Sequence, residues 1–198
     1  MQILHIISSA RGAESFSTKL SQGIIDKLLA AHPGSPVVVR DLAQHPFPHL
    51  EEAHLTAYFT PAEGRSPAQQ AAVRHSDEAI AEVLAADVLV IGSPLYNFTI
   101  TSSLKAWLDH LTRANLTFRY TPAGPEGLIT GKKVYLALAS GGIYSEGPMQ
   151  PYDFATPYLR WMLGFLGMRD VTVARAEGVK LPEVQATALQ KGLASVTV

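Results

Sequence analysis

Three short segments of the chain carry residue types suited to holding a small polar ligand. Residues 8–17 bring several serines together just before a segment of helical spacing, and hydroxyls and backbone N–H groups at a helix N-terminus bind a phosphate well. Residues 92–98 read Gly-Ser-Pro-Leu-Tyr-Asn-Phe, which offers aromatic faces and backbone polar groups to a flat ring. Residues 139–144 include Gly141 and Gly142, and paired glycines let backbone approach a ligand closely.

Each segment also has a plainer structural interpretation. Ser15 or Ser17 could simply cap the helix that follows. The proline turn could place its aromatic side chains in the core, and the glycine pair could form an ordinary tight turn. The spacing matches neither the dinucleotide motif G-x-G-x-x-G nor the P-loop motif G-x-x-x-x-G-K-[ST]. The decision between these interpretations therefore depends on where the segments lie relative to the strands.

Apolar runs of strand length alternate along the chain with longer segments of helical spacing. The predicted strands are residues 3–7, 37–39, 88–91, 134–138 and 171–173. The predicted helices are about residues 17–30, 67–84, 102–112, 158–166 and 183–194. This alternation is typical of parallel βαβ units with right-handed crossovers. We predict an α/β fold: a doubly wound, five-stranded parallel sheet between two helical layers, formed by residues 1–198 as one domain.

The three ligand-type segments follow the first, third and fourth predicted strands, so they meet at one edge of the sheet. Ligands of open α/β sheets bind beyond the carboxyl ends of the strands, where the strand order reverses. One phosphate site beside two sites for a flat ring describes a mononucleotide, and the combination favours FMN. Hydride chemistry at N5 of FMN needs orientation rather than an ionised catalytic side chain. Asn97 and Tyr144 are the residues that could assist it.

Two segments do not fit the simple alternation. Residues 41–66 form a long stretch rich in proline and histidine, and residues 115–131 hold a short extended piece around 117–120. Loops of this length in a compact domain are often lids or interface elements. We therefore expect a substrate pocket whose walls come from these segments and from the ring site; the candidates are Phe59, Phe98, Tyr120 and Tyr144.

Several blocks of the sequence resemble the FMN-dependent NADH azoreductases, a flavodoxin-like family of NAD(P)H:quinone oxidoreductases. The most specific are Pro-Leu-Tyr-Asn-Phe at 94–98 and Phe-Arg-Tyr-Thr at 118–121. Weaker blocks lie at 124–128, 131–133, 141–143 and 176–178, so the resemblance runs from about residue 3 to residue 178. The chain departs from the family at Phe16, where a polar residue is common, and at Ala139-Ser140, which replaces a Ser-Arg pair.

The resemblance implies a flavodoxin-like fold, a homodimer and FMN held without a covalent bond. It implies hydride transfer from NADH or NADPH through FMN to quinones and azo compounds. By match, the phosphate and ribityl end would be held by Ser9, Ser15, Phe16 and Ser17. The isoalloxazine ring would be held by Pro94, Leu95, Tyr96, Asn97, Phe98, Ala139, Ser140, Gly141 and Gly142.

Composition and motif content exclude several other classes of protein. The 198 residues include no cysteine, carry a formal net charge of −1 and are 47% apolar. The sequence has no basic patch of the kind that binds nucleic acid. No apolar run approaches the ~20 residues that a membrane-spanning helix needs, and the spacing of the histidines does not predict a metal site. We expect a cytoplasmic protein.

A flavodoxin-type electron carrier is the alternative to an enzyme, and it ranks lower because such carriers need an acidic docking face. A phosphoacceptor domain is rejected because Ser8, Ser9 and Ser93 stand where acidic residues would be needed.

Overall fold

The computed structural model describes residues 1–198, and a five-stranded sheet lies at its centre. Its strands are β1 (Ile3–Ile7), β2 (Val37–Asp41), β3 (Val88–Pro94), β6 (Lys133–Ala139) and β7 (Asp170–Ala176). They are parallel throughout and lie in the order β2-β1-β3-β6-β7. The predicted five-stranded parallel sheet is confirmed. The strands extend beyond their apolar runs, since β3 continues to Pro94 and β7 covers seven residues.

Helices cover both faces of this sheet. They are α1 (Phe16–Ala31), α2 (Glu52–Phe59), α3 (Pro67–Ala85), α4 (Ser102–Leu111), α5 (Ala155–Leu166) and α6 (Pro182–Ala194). Short 3-10 turns lie at Gly12–Glu14, Ala62–Gly64 and Gly147–Tyr152. One apolar cluster joins the sheet to α1, and a larger cluster joins its other face to α3, α4 and α5. The three-layer α/β/α arrangement is therefore confirmed.

Several helices begin or end at residues that satisfy the free backbone groups of a helix end or its backbone conformation. Ser15 caps α1 by accepting a hydrogen bond from the Thr18 N–H, and Thr101 caps α4 in the same way through the Leu104 N–H. Ser66 forms a capping box with Gln69 at the start of α3. Gly167 ends α5 with φ of 106°, a left-handed conformation that glycine adopts without a steric penalty.

The core is most continuous around the two central strands. All seven residues of β3 are buried, as are six of the seven in β6, because parallel strands covered on both faces expose neither side to water. His5 of β1 is also buried and lies 2.7 Å from the Ser21 hydroxyl. Burial lowers the pKa of His5 to about 4, so it is a neutral core residue.

The two irregular segments contain elements that periodicity did not predict. Residues 41–66 include α2, which packs against α3. Residues 115–131 fold into an antiparallel hairpin of β4 (Phe118–Thr121) and β5 (Gly124–Gly127). The sequence predicted only the first of these strands, because Gly-Pro-Glu-Gly has a low strand propensity. The hairpin is held at the end of α5, where the Ile129 N–H donates to the Leu166 carbonyl at 2.9 Å.

Because β5 packs closely against the end of α5, we predict that adding a side chain at Gly127 destabilises the fold. A Cβ atom there would lie 2.1 Å from the Gly167 nitrogen and 2.3 Å from the Leu166 carbonyl carbon. We expect Gly127→Ala to lower the free energy of unfolding by about 1–3 kcal/mol or more, as overpacking does, in a urea titration. Gly64→Ala is the control: its nearest neighbour would be 3.9 Å away, so a change within about 0.5 kcal/mol is expected. Equal losses in the two variants would contradict this account of the packing.

Candidate functional site

A cavity of about 350 Å³ lies at the carboxyl ends of β1, β3 and β6. The chain runs from β1 to β2 on one side and then returns to β3 on the other, and such a reversal opens a crevice at the sheet edge. Predicted site residues that line the cavity are Ser15, Phe16, Pro94, Leu95, Tyr96, Asn97, Phe98, Ala139, Ser140, Gly141, Gly142 and Tyr144. The topology therefore brings the three ligand-type segments together.

The loop after β1 presents unpaired backbone donors at the start of α1. The Ser15 hydroxyl caps the Thr18 N–H and lies 2.9 Å from the Ser17 hydroxyl. The N–H groups of Phe16 and Ser17 have no hydrogen-bond partner within the chain. Two N–H donors therefore remain for a ligand at the positive end of a 16-residue helix. Arg11 lines the same end of the cavity and adds a positive charge.

The loop after β3 is a tight two-residue turn in a strained conformation. Tyr96 and Thr99 exchange backbone hydrogen bonds at 3.0 and 3.1 Å. Between them, Asn97 and Phe98 have φ of 49° and 71°, the signs of a type I′ turn. Asparagine tolerates this region, but a phenylalanine there is strained. The Asn97 and Phe98 N–H groups have no partner in the chain, whereas the Phe98 carbonyl accepts a hydrogen bond from the Phe154 N–H at 3.1 Å.

The loop after β6 is strapped to the segment that follows β7. The N–H groups of residues 178, 179 and 180 donate to the carbonyls of Gly142, Ser140 and Gly141 at 3.0, 3.2 and 3.1 Å. The Ser140 hydroxyl also donates to the Gly142 carbonyl at 2.8 Å. These bonds use the carbonyls of the loop and leave the Gly141 and Gly142 N–H groups without partners. The glycine loop is thus fixed in place with its backbone donors free.

A partly buried ionic network lies behind the glycine loop. Glu177 accepts a hydrogen bond from the Tyr144 N–H at 2.8 Å and lies 3.5 Å from Arg175. Arg175 also pairs with Asp153 at 2.8 Å. Burial by itself would raise the pKa of Asp153, but hydrogen bonds from Thr156 and the Arg175 ion pair outweigh it and hold that pKa below its usual value. The carboxylate therefore stays ionised and ties Tyr144, through Arg175, to the start of α5.

Four predicted site residues do not line the cavity. Ser9 and Ser17 are buried beneath it, and the Ser9 hydroxyl accepts from the Arg11 N–H at 3.3 Å. Phe59 at the end of α2 is 81% exposed, and Tyr120 on β4 is 76% exposed. Their side chains face solvent and lie outside the cavity of their own chain.

Sequence reasoning did not select Arg11, Glu14, Val179 and Lys180, which also line the cavity. Arg11 and Glu14 lie within the serine-rich segment, but no spacing rule distinguished their side chains from the rest. Val179 and Lys180 follow β7, the neighbour of β6 in the sheet. Because all parallel strands end at one edge, the loop after the fifth strand was the signal that could have found them.

A second cavity of about 730 Å³ adjoins the first, and both are lined by Tyr96 and Asn97. Its remaining wall comes from the first turn of α4, from Tyr158 and from residues after β1 and β2. This volume falls in the range of small-molecule sites, roughly 300–1,000 Å³. A ligand in the first cavity therefore has open space beside it for a second molecule.

His54 of the irregular segment belongs to a packed cluster with His110 of α4. The rings of His54 and His110 meet edge to face at 5.0 Å between centroids, and His110 lies 2.6 Å from the Tyr58 hydroxyl. Burial lowers the pKa of His110. No group of three or more histidine, aspartate or glutamate side chains is placed to hold a metal ion. None of the helices combines the length and the apolar character that crossing a membrane would require.

Comparison with known proteins agrees with this geometry. The family model described as a flavodoxin-like fold matches residues 1–197. This chain belongs to the flavodoxin-like family. An FMN-dependent NADH:quinone oxidoreductase of Herminiimonas arsenicoxydans is 52% identical over 180 residues, which cover 91% of this chain and 88% of that protein. A protein of the same name from Mesorhizobium japonicum is 49% identical over 197 residues, covering 99% and 94%.

Solved structures of this flavodoxin-like family superpose closely on this chain. An azoreductase from Bacillus anthracis strain Sterne has a TM-score of 0.90 at 33% identity, with 98% of this chain and 95% of that chain covered. An FMN-dependent NADH-azoreductase from Bacillus anthracis strain Ames Ancestor, in complex with FMN, has a TM-score of 0.86 at 25% identity, covering 98% and 97%. The resemblance inferred from the sequence blocks is therefore confirmed.

The positive φ of Phe98 predicts an inverted order of stability between two variants. Phe98→Ala and Phe98→Gly both remove the ring, but only glycine adopts a φ of 71° without strain. We expect Phe98→Gly to be more stable than Phe98→Ala by about 1 kcal/mol in urea unfolding of the ligand-free protein. At an ordinary position glycine is the less stable of the two. If alanine were the more stable residue here, the turn would not be strained as described.

Proposed function

We propose that this chain is an FMN-dependent oxidoreductase that transfers hydride from NADH or NADPH to quinones and azo compounds. The observation that carries the proposal is the ring of partnerless backbone N–H groups around one cavity at the switch point of the sheet. Backbone N–H groups without a partner in the chain are free to donate to a ligand, so this arrangement favours a ligand rich in acceptors. The names of relatives at about 50% identity over nearly the whole chain support FMN, NADH and quinone as the reactants.

The residues present fit FMN at both of its ends. The Phe16 and Ser17 N–H groups, the start of α1 and the Arg11 guanidinium suit a phosphate. At the other end, the N–H groups of Asn97 and Gly141 suit the carbonyl oxygens and ring nitrogens of a flavin. The hydroxyl groups of Ser9 and Ser17 would act from beneath, through the loop they hold in place, so only the backbone N–H of Ser17 is proposed to bind the phosphate.

Bound FMN would supply a ring that accepts hydride from a nicotinamide and gives it to an acceptor. The protein groups would orient the bound ring and stabilise the charge that develops on it. The free N–H groups at Asn97 and Gly142 would stabilise negative charge at the ring edge. The Phe98 and Tyr144 rings, 6.4 Å apart, would wall the site against water. A water molecule or the Tyr144 hydroxyl would deliver the proton, and Tyr144 would then regain a proton from water.

The shape of the site supports a proposed order of events. Donor and acceptor would both have to lie against the same exposed ring face, next to the larger cavity that shares Tyr96 and Asn97. The oxidised nicotinamide must then leave before the acceptor enters, which is a ping-pong sequence. A quinone takes one hydride and one proton. Cleavage of an azo bond to two amines takes two hydrides and two protons, and so two molecules of NADH.

We propose further that residues 1–198 act as one domain within a cytoplasmic homodimer that binds neither nucleic acid nor membrane. Exposed aromatic side chains support a second copy as partner: Trp161 of α5 is 67% exposed and stacks on Phe165. Phe59 and Tyr120 are exposed and remote from their own cavity, so their role as pocket walls would be toward the partner's site. Sedimentation at micromolar concentration should show a dimer, and a monomer alone would contradict this proposal.

The visible spectrum of the protein incubated with FMN and freed of excess cofactor tests the function. We expect a retained flavin band that bleaches on anaerobic addition of NADH or NADPH and returns when a quinone is added. Retention without bleaching by either nucleotide would favour the electron carrier over the enzyme. Failure to retain FMN would contradict both.

A matched pair of variants at Asn97 controls this experiment. Asn97→Gly keeps the backbone N–H in a residue that tolerates a φ of 49°, whereas Asn97→Val places a β-branched side chain there. FMN retention should therefore survive in Asn97→Gly and fall in Asn97→Val. Equal retention of FMN in the two variants would show that this turn does not bind the cofactor.

A further inference from the structure

Lys180 lies over the glycine loop in a position fixed by the backbone. Its N–H donates to the Gly141 carbonyl at 3.1 Å, as part of the strap between residues 178–180 and 140–142. A Cβ atom built on Gly141 would lie 3.2 Å from Lys180 Cδ and 3.4 Å from Cγ. The aliphatic stem of the lysine therefore runs along Gly141, and Lys180 is one of the residues that line the cavity.

The ammonium group of Lys180 differs from the other charged groups around the cavity in having no assigned partner. Glu14, the one acidic residue in the lining, lies 3.4 Å from Lys19. Arg11 lies with Ser15 and Phe16 in the segment after β1, where a phosphate would bind. Lys180 belongs to the strap behind the ring-binding loop, and its ammonium group forms no ion pair with any carboxylate of the chain. Its positive charge is therefore available to a ligand.

We propose that Lys180 raises the reduction potential of bound FMN by stabilising the reduced ring electrostatically. This inference rests on the proposed function. A bound ring that accepted hydride from NADH, with release of NAD⁺, would carry one more negative charge than the oxidised ring. Charge placed near a flavin ring tunes its potential. A cation at the edge of the cavity binds the reduced ring more tightly than the neutral oxidised ring, and this differential affinity raises the potential.

The test compares the affinity of the protein for the two redox states of FMN. The dissociation constant of oxidised FMN is measured by titration, and that of reduced FMN follows from the midpoint potentials of bound and free FMN measured against a reference dye. Lys180→Met keeps the stem on Gly141 and removes the charge. We expect Lys180→Met to weaken binding of reduced FMN about fivefold more than binding of oxidised FMN, the scale of an exposed charge interaction.

Two further variants serve as controls. Lys180→Arg keeps the charge and should keep the wild-type potential. Lys191→Met removes a lysine from α6 outside this cavity and should leave the ratio of the two dissociation constants unchanged. An equal loss of affinity for both redox states in Lys180→Met, or the same shift in Lys191→Met, would overturn the inference while the proposed function stands. A wild-type protein that retains no FMN would instead overturn the proposed function.

Discussion

The site depends on backbone N–H groups that the parallel sheet leaves without partners at its carboxyl edge. Inside the sheet, β3 exchanges hydrogen bonds with β1 on one side and β6 on the other. Beyond the strand ends, the chain turns away in three loops, and the donors of Phe16, Asn97 and Gly141 are not paired again. Because these loops meet where the strand order reverses, the unpaired donors surround one cavity, and a ligand with matching acceptors would complete the hydrogen bonding of the edge.

The remaining features of the site hold those donors in place. The turn at Asn97 and Phe98 keeps positive φ values because Tyr96 and Thr99 close it on one side and Phe154 binds the Phe98 carbonyl on the other. The glycine loop is held by the strap from residues 178–180. Behind the loop, Glu177, Arg175 and Asp153 connect Tyr144 to the start of α5. A rigid support of this kind lets donors stabilise charge without reorganising.

Much of this arrangement is predictable from sequence, for reasons visible in particular residues. The runs at 88–91 and 134–138 are continuously apolar because both faces of central parallel strands are buried, and their ends locate the loops that line the cavity. Sequence could not reveal β5, whose residues have poor strand propensity. It also could not select Lys180, whose place in the cavity wall depends on packing against Gly141 from a distant part of the chain. Phe59 and Tyr120 were chosen as pocket walls by residue type, but long segments do not reveal which cavity their side chains reach.

Amide NMR spectra of isotopically labelled protein, recorded during titration with FMN, test the central claim most directly. The account predicts that the largest shifts and the strongest slowing of hydrogen exchange fall on the unpaired N–H groups of Phe16, Ser17, Asn97, Phe98, Gly141 and Gly142. Amides inside the strands of the sheet should change little. If FMN binds while these resonances stay unshifted and exchange at their original rates, the unpaired donors at the carboxyl edge are not what holds the ligand.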